Sequence, residues 1–388
     1  MSNPLLNVET LTGSSFVNAA LKAKCPPGST FVSKLDEVIN IALPLTTSSD
    51  SSLNRGDVLE IQGPSGAGKT ELLYFLAMTT ILPFSVTLNT GSDSPEDVVL
   101  YLGSRGKSVV VCDCEGRWSM RRLHHIMEIL LWQRFQDAFP EMDPDEEMMA
   151  MQLQEVLDEA LGRIHLFRPI SSGSLAATLH MLPHYHYTKM QDEEICMLMI
   201  DGVSSFYWQD RWKVESTTGN VWKSPSYATA GVVRSLQSFR ASHNPVTILT
   251  NWAISPLSNK SHFFKQHLPP PYPAPFETAQ DGTPAPRTSP LEITHHITLV
   301  NPHHHSPLSR HESLPDDSTT IADPNEPITI QGIVRTPPRD VAETIINHFE
   351  FRVAGAGVTV VPLAEVELPI EEAQIERTIE EAASPDVY

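Results

Sequence analysis

The sequence has few cysteines, no long apolar run and far fewer bases than acids. Four of its 388 residues are cysteine, and their spacing matches neither a disulfide framework nor a zinc motif. No stretch approaches the roughly 20 consecutive apolar residues that a membrane helix needs. The opening residues, MSNPLLNVETLTGSSF, lack the basic-then-apolar plan of a signal peptide. We therefore expect a soluble, intracellular protein with no membrane partner.

The shortage of bases gives a net charge of −20, with 27 Lys and Arg against 47 Asp and Glu. Residues 137–159 hold nine acids and no base, and residues 363–388 hold eight acids and one arginine. The rest of the chain is close to neutral. The sequence thus allows contact with DNA but shows no basic patch that would demand it.

The order of apolar and amphipathic segments predicts an α/β fold. Residues 1–50 form a short lead-in with helical patterns at 16–24 and 31–41. In residues 51–265 apolar strands alternate with amphipathic helices, which indicates a mostly parallel central sheet with helices on both faces. One of these helices is predicted from Met120 to Phe135. The five strands are expected at Val58 to Gln62, Ser108 to Asp113, Ile164 to Phe167, Cys196 to Ile200 and Val246 to Thr250.

The composition changes after residue 265. Residues 266–362 are rich in Pro, His and Ser, with three strand patterns, LEITHHITLV, ITIQGIVR and NHFEFRVAGAGVTVV. These predict C-terminal edge strands joined by disordered insertions. Residues 363–388 are expected to form a mobile acidic tail.

The clearest motif is GPSGAGKT, which stands between the apolar run DVLEIQ and the helical pattern ELLYFLAMTTIL. It matches G-x-x-x-x-G-K-[ST], whose glycines turn backbone amides toward phosphates, whose lysine reaches the β- and γ-phosphates, and whose hydroxyl serves Mg²⁺. A glycine-rich turn that only joins strand to helix is the alternative, which the flanking pattern disfavours. The predicted ATP-binding residues are Gly63, Pro64, Ser65, Gly66, Ala67, Gly68, Lys69 and Thr70.

Two further strands end in carboxylates. ICMLMID ends in Asp201, which could reach the metal together with Thr70. Many buried strands end in Asp without function, but the phosphate-loop motif upstream favours a magnesium role. VVVCDCEG ends in Asp113 and Glu115, one of which could deprotonate an attacking water; the pair could equally cap the next helix.

A third strand, PVTILTNW, brings Asn251 and Trp252 to its end. The amide of Asn251 could sense a γ-phosphate, whereas Trp252 offers only an indole N–H and no acceptor. Downstream of Asp201, Trp208, Trp212 and Trp222 are interleaved with bases. This pattern can stack on single-stranded nucleic acid, but it is more often a packed surface or a partner interface.

The order of these motifs resembles the RecA-like recombinase ATPases, and LMIDGVSSFYWQDR and HFEFRVAGAGV resemble the eukaryotic recombinase paralogues. The resemblance covers residues 56–250 and the strand near 349–351. It implies a RecA-like P-loop ATPase core, with Glu115 of the D-x-E-G segment as catalytic base, Lys69 and Thr70 on ATP, and Thr70 and Asp201 on Mg²⁺. Trp252 stands where the family places a glutamine that senses the γ-phosphate.

The resemblance also implies a function. The chain would bind ATP and Mg²⁺, hydrolyse ATP weakly, assemble with other recombinase paralogues, and assist double-strand break repair by homologous recombination in the nucleus. Single-stranded or branched DNA is a further candidate ligand. Two alternatives stay open, a P-loop kinase of small molecules and a catalytically idle ATP-bound scaffold. A kinase of this kind would need an arginine-rich lid, for which the Pro/His-rich region has hardly any candidates.

Overall fold

The computed structural model describes residues 28–41, 52–89, 97–140, 146–218, 226–255, 264–273, 291–300, 327–336 and 345–359. In these ranges the helices are α1 (Ser33–Ile41), α2 (Lys69–Ile81), α3 (Met120–Ala138), α4 (Glu146–Gly162), α5 (Ser172–Lys189), α6 (Tyr207–Thr218) and α7 (Ser226–His243). The strands are β1 (Val58–Gly63), β2 (Ser85–Asn89), β3 (Asp97–Tyr101), β4 (Ser108–Asp113), β5 (Ile164–Phe167), β6 (Ile195–Asp201), β7 (Val246–Trp252), β8 (His295–Val300), β9 (Ile328–Thr336), β10 (Ile345–Ala354) and β11 (Gly357–Thr359).

Nine of these strands form one sheet in the order β11-β10-β9-β8-β1-β7-β6-β4-β5. The six strands from β8 to β5 run parallel to one another. From β8 outward, β9, β10 and β11 pair antiparallel, so the C-terminal strands extend the core sheet. The predicted α/β class, with its mostly parallel sheet and its five core strands, is confirmed.

Both faces of the parallel sheet are covered, which explains why its strands are predominantly apolar. On β4, Val109 and Val111 pack in the cluster that contains α2, α3 and α4. Val110 and Cys112 point the opposite way and pack with α5 and α7. Side chains of a strand alternate between faces, so a strand that is buried on both faces has apolar residues pointing both ways. None of the helices in the described ranges is long and apolar enough to cross a membrane.

Two elements were not predicted from the sequence, and β8, one of the predicted C-terminal strands, lies inside the sheet between β9 and β1. The first acidic stretch contains helix α4, because Met149, Leu153 and Leu157 recur every four residues and bury one stripe against the core. A separate hairpin of β2 and β3, which the sequence analysis did not predict, precedes β4. The predicted helix at residues 16–24, the Pro/His-rich insertions at 274–290 and 301–326, and the acidic tail lie outside the described residues.

Three of the cysteines, Cys112, Cys114 and Cys196, lie in the described ranges, where they are free and buried. Burial raises the pKa of the Cys112 thiol to about 12. Burial likewise raises the pKa values of the Cys114 and Cys196 thiols. Since the thiolate is the reactive form, these three cysteines are structural side chains.

The antiparallel pair of β9 and β10, called here the C-terminal hairpin, packs against the phosphate loop, residues 63–70. A Cβ added at Gly68 would lie 3.3 Å from Ile330 Cγ1 on β9 and 3.6 Å from the Phe351 ring on β10. The Arg122 guanidinium on α3 donates to the carbonyl oxygens of Ala354, at 3.3 Å, and Gly355. Strands far away in the sequence therefore support the start of α2.

The packing of the C-terminal hairpin can be tested at Gly332 on β9. A Cβ added there would lie 2.1 Å from Phe349 Cε1 on the neighbouring strand. We expect Gly332→Ala to lower the free energy of unfolding by about 1–3 kcal/mol through overpacking. Urea titration at constant m-value measures the change. The matched control is Gly355→Ala, whose Cβ would meet nothing within 4 Å. Equal losses in both variants would contradict the prediction.

A buried polar cluster ties several strands together around Glu60, which lies on β1 and is fully buried. Its Oε1 atom accepts hydrogen bonds from Asn251 Nδ2 at 3.0 Å, Gln266 Nε2 at 3.0 Å and Tyr272 Oη at 2.9 Å. The segment 264–273 is thereby held against β1 and β7.

The other oxygen of Glu60 faces the C-terminal strands. Glu60 Oε2 lies 3.5 Å from His296 Nε2 on β8, and Arg335 Nη2 on β9 lies 2.9 Å from His296 Nδ1. Burial, with the nearby Arg335 charge, lowers the pKa of His296 well below its usual value. A neutral imidazole can accept from Arg335 at Nδ1 and present Nε2–H to Glu60. Burial also raises the pKa of Glu60.

This raised pKa makes stability depend on pH. The unfolded Glu60 releases its proton near its ordinary pKa of 4.5, whereas the folded chain retains it to higher pH. The free energy of unfolding should therefore fall as pH rises from 4.5 through the folded pKa, by about 1.4 kcal/mol per pH unit in that window. Glu60→Gln lacks this dependence. Urea unfolding of both proteins across pH should show Glu60→Gln gaining relative stability with pH; a constant difference would contradict the prediction.

Candidate functional site

The candidate site lies where the carboxyl ends of β1, β4, β6 and β7 meet. In the sheet, Asp113 at the end of β4 pairs with Asp201 at the end of β6. Gly63 at the end of β1 pairs with Trp252 at the end of β7. Parallel strands place their carboxyl ends at one edge, which is where α/β proteins bind ligands. The sequence-predicted site residues are thus brought to one edge.

The phosphate-loop motif forms the turn between β1 and α2. Gly66 and Gly68 have φ values of 76° and 80°, in the left-handed region that side chains rarely adopt. A Cβ at Gly66 would meet nothing within 4 Å, and Ser65 and Gly66 are exposed. Ala67, in contrast, is buried in the core. The tip of the loop is therefore reachable from solvent, directly before the N-terminus of α2.

Lys69 folds over this loop. Its Nζ atom donates to the carbonyl oxygens of Gly63 at 2.8 Å and Pro64 at 2.9 Å. Burial lowers the pKa of Lys69, and the charges of Glu115 and Asp201 act in the opposite direction. The ammonium group thus lies between the loop and two carboxylates, where an added anionic group would find a positive charge.

Asp201 joins α2 to two strands. Its Oδ2 atom accepts from the Thr70 hydroxyl at 3.1 Å, and its Oδ1 atom accepts from the Thr250 hydroxyl at 2.7 Å. The Thr250 oxygen in turn accepts the Gly202 backbone N–H at 2.6 Å. Burial raises the pKa of Asp201, and these two hydroxyl bonds oppose that shift. Sequence reasoning missed Thr250, whose only signal was its place next to Asn251 at a strand end.

Hydroxyl and carboxylate oxygens are ligands that Mg²⁺ accepts, so Thr70 and Asp201 fit a magnesium role at this edge. In the described part of the chain, no group of three or more His, Cys, Asp or Glu side chains could hold a metal ion. A magnesium ion on Thr70 and Asp201 would need phosphate and water oxygens to complete its coordination.

The two acids after β4 have different environments. Asp113 is buried and accepts the backbone N–H groups of Arg117 at 3.1 Å and Trp118 at 3.0 Å, with Arg168 Nε at 3.4 Å. It therefore caps the turn that leads into α3. Glu115 lies beyond the strand end, with 21% of its side chain exposed. The N-cap of α3 itself is Ser119, whose side chain accepts the Arg122 backbone N–H at 3.2 Å, so neither acid caps the helix directly.

Glu115 is in close contact with the turn after β6. Gly202 has a φ of 83°, and a Cβ there would lie 2.7 Å from Glu115 Cγ. The absence of a side chain at Gly202 lets Glu115 lie across the end of β6. On its far side, Glu115 Oε2 is 3.6 Å from Arg117 Nε.

Asn251 and Trp252 point in opposite directions at the end of β7. Asn251 is fully buried and donates to Glu60 and to Gln266 Oε1, both at 3.0 Å. The γ-phosphate contact predicted for Asn251 would require this cluster to open. Trp252 instead points into the site, where its Nε1 atom donates to Glu115 Oε1 at 2.6 Å.

The aromatic residues after β6 lie on α6. Trp208 and Trp212 are one helical turn apart, and 52% and 70% of their surfaces are exposed. The Arg211 guanidinium lies 5.7 Å from the centre of the Trp208 ring. Trp222 lies outside the described residues.

Comparison with known proteins gives relatives among DNA repair proteins. The chain is 30% identical to the DNA repair protein XRCC2 of Mus musculus over 156 residues, which are 40% of this chain and 43% of the relative. It is 27% identical to the DNA repair protein XRCC2 homolog of Arabidopsis thaliana over 176 residues, 41% of this chain and 43% of that relative. No protein-family model matches the chain.

Both matches cover less than half of the relative's own length. They agree with the resemblance to recombinase paralogues that the motifs predicted, and confirm it. The chain is therefore similar in sequence to the XRCC2 DNA repair proteins, and its nine-stranded, mostly parallel α/β sheet fits a RecA-like fold.

Proposed function

We propose that this chain is an ATP-binding recombinase-paralogue subunit that assists DNA double-strand break repair by homologous recombination in the nucleus. It would act mainly through assembly with other recombinase paralogues and would hydrolyse ATP weakly. The similarity to two DNA repair proteins supports the repair role. The site at the carboxyl edge of the sheet supports ATP binding.

The observation that carries ATP binding is the contact between Thr70 and Asp201, 3.1 Å apart at the start of α2. A hydroxyl from the phosphate loop and a carboxylate from a neighbouring strand together can take Mg²⁺. The N-terminus of α2 adds unpaired amides and the positive end of a helix dipole, which favour phosphate. Lys69 would supply a charge for the β- and γ-phosphates.

Hydrolysis would also require a base that can reach water beside the γ-phosphate. Glu115 suits this role better than Asp113, because Asp113 already accepts three hydrogen bonds inside the protein. Glu115 is partly exposed and lies close enough to Lys69 for their charges to interact. This supports Glu115 as the catalytic base that the resemblance implies.

The binding of ATP can be tested by substitutions at two of the site residues. Lys69→Ala should weaken ATP·Mg²⁺ affinity at least about tenfold, because it removes the charge that would contact the phosphates. Glu115→Gln should change that affinity by less than about twofold, because it retains the shape of the side chain. Calorimetric titration of the three proteins measures both. Equal losses in the two variants would show that Glu115 is needed for the structure of the site, and not as a base.

A further prediction concerns assembly with a recombinase paralogue and the rate of ATP turnover. Purified with a co-expressed recombinase paralogue, the chain should co-elute with it and turn over ATP more slowly than about one per second. Turnover is measured with and without single-stranded DNA and with and without the partner. Deletion of the chain from cells should reduce homologous repair of an induced break, and the intact chain should restore it. Robust, DNA-independent transfer of the γ-phosphate to a small molecule would favour the kinase alternative and refute the proposal.

A further inference from the structure

The contact between Trp252 and Glu115 is unusual for a candidate catalytic base. The indole Nε1–H donates to Glu115 Oε1 at 2.6 Å, at the short end of hydrogen bonds to a carboxylate. The other oxygen, Oε2, lies 3.6 Å from Arg117 Nε. Both carboxylate oxygens therefore face a donor.

The two donors differ in strength. The Arg117 side chain is 74% exposed, so its contact with Glu115 is screened by water and contributes little. Trp252 is partly buried and its ring cannot take up a second hydrogen-bonding role, because indole has a single N–H and no acceptor. The Trp252 contact is therefore the one that restrains the carboxylate.

Trp252 and Glu115 each make further contacts that restrict their positions. The Trp252 backbone N–H donates to Ser204 Oγ at 3.1 Å, and the next residue, Ala253, donates its N–H to the Gly63 carbonyl at 3.1 Å. Glu115 lies against Gly202, where even a methyl group would come within 2.7 Å of its Cγ. The backbone around Trp252 is therefore anchored on two sides, and the Glu115 side chain packs closely against the turn at Gly202.

We propose that Trp252 is a positioning residue that restrains Glu115 and slows ATP hydrolysis; this rests on the proposed function. In hydrolysis a water proton passes to a Glu115 oxygen while the water oxygen bonds to the γ-phosphorus. The bond from that phosphorus to the β,γ-bridging oxygen breaks, and ADP and inorganic phosphate leave. An oxygen that already accepts from the indole is a poorer proton acceptor and is aimed at Trp252.

The kinetic test uses Trp252→Phe, which keeps an aromatic ring and removes the N–H. We expect kcat for ATP to rise roughly three- to tenfold, the effect of freeing one hydrogen bond of ordinary net strength, with ATP affinity changed less than twofold. Adding Glu115→Gln should abolish the rise. Trp132→Phe, the same change at a partly buried side chain on α3, is the matched control. A kcat that stays equal or falls in Trp252→Phe would overturn the proposal.

A second test needs no nucleotide. In ¹⁵N-labelled protein, the Trp252 indole N–H resonance should move upfield in Glu115→Ala, because the hydrogen bond is lost, and stay in place in Arg117→Ala. A resonance that Glu115→Ala leaves unmoved would overturn the proposal. Failure of the unmodified chain to bind ATP would instead refute the proposed function, and the indole resonance would still decide whether Trp252 holds Glu115.

Discussion

The Asp201 carboxylate is the interaction on which the candidate site depends. It lies buried at the end of β6 and accepts one hydroxyl from α2 and one from β7, at 3.1 and 2.7 Å. Burial of a charge is unfavourable unless hydrogen bonds replace the lost water, and the hydroxyls of Thr70 and Thr250 do this here. The same bonds fix the start of α2 relative to two strands. The position of the phosphate loop therefore depends on these bonds, together with the C-terminal strands that pack against it.

The burial of a second acid, Glu60, is compensated by different contacts. It lies inside the sheet on β1 and collects three donors at one oxygen, while the other oxygen faces His296. The strand β7 contacts both buried acids, because side chains alternate along a strand. Asn251 donates to Glu60 from one face, whereas Thr250 and Trp252 on the other face donate to Asp201 and Glu115. A shift of β7 along its neighbours would disturb both clusters together.

Much of this architecture could be predicted from the sequence, and the rest depends on contacts that no local pattern shows. The five predicted core strands are mostly apolar because both faces of the sheet are covered, so their apolar runs were enough to locate them. Helix α4 was missed because its acids dominate the composition, although Met149, Leu153 and Leu157 form a stripe. Asp113 and Glu115 could not be separated, because alternation predicts one face for both, whereas β4 ends at Asp113. The direction of Asn251 depends on Glu60, which is 191 residues away.

The chemistry of one side chain then bears on how the site would behave. The resemblance places a glutamine at the position of Trp252, and a glutamine amide can donate and accept at the same time. Such a side chain could contact a carboxylate and a phosphate together and so report one to the other. An indole has a single donor, and in this structure that donor is committed to Glu115. A phosphate arriving at Lys69 would therefore find no group on Trp252 that could both sense it and release the base. Under the proposed function, binding of ATP and its hydrolysis would in this way be separable, and a chain that retains the loop while Trp252 restrains Glu115 would be suited to hold a nucleotide within an assembly.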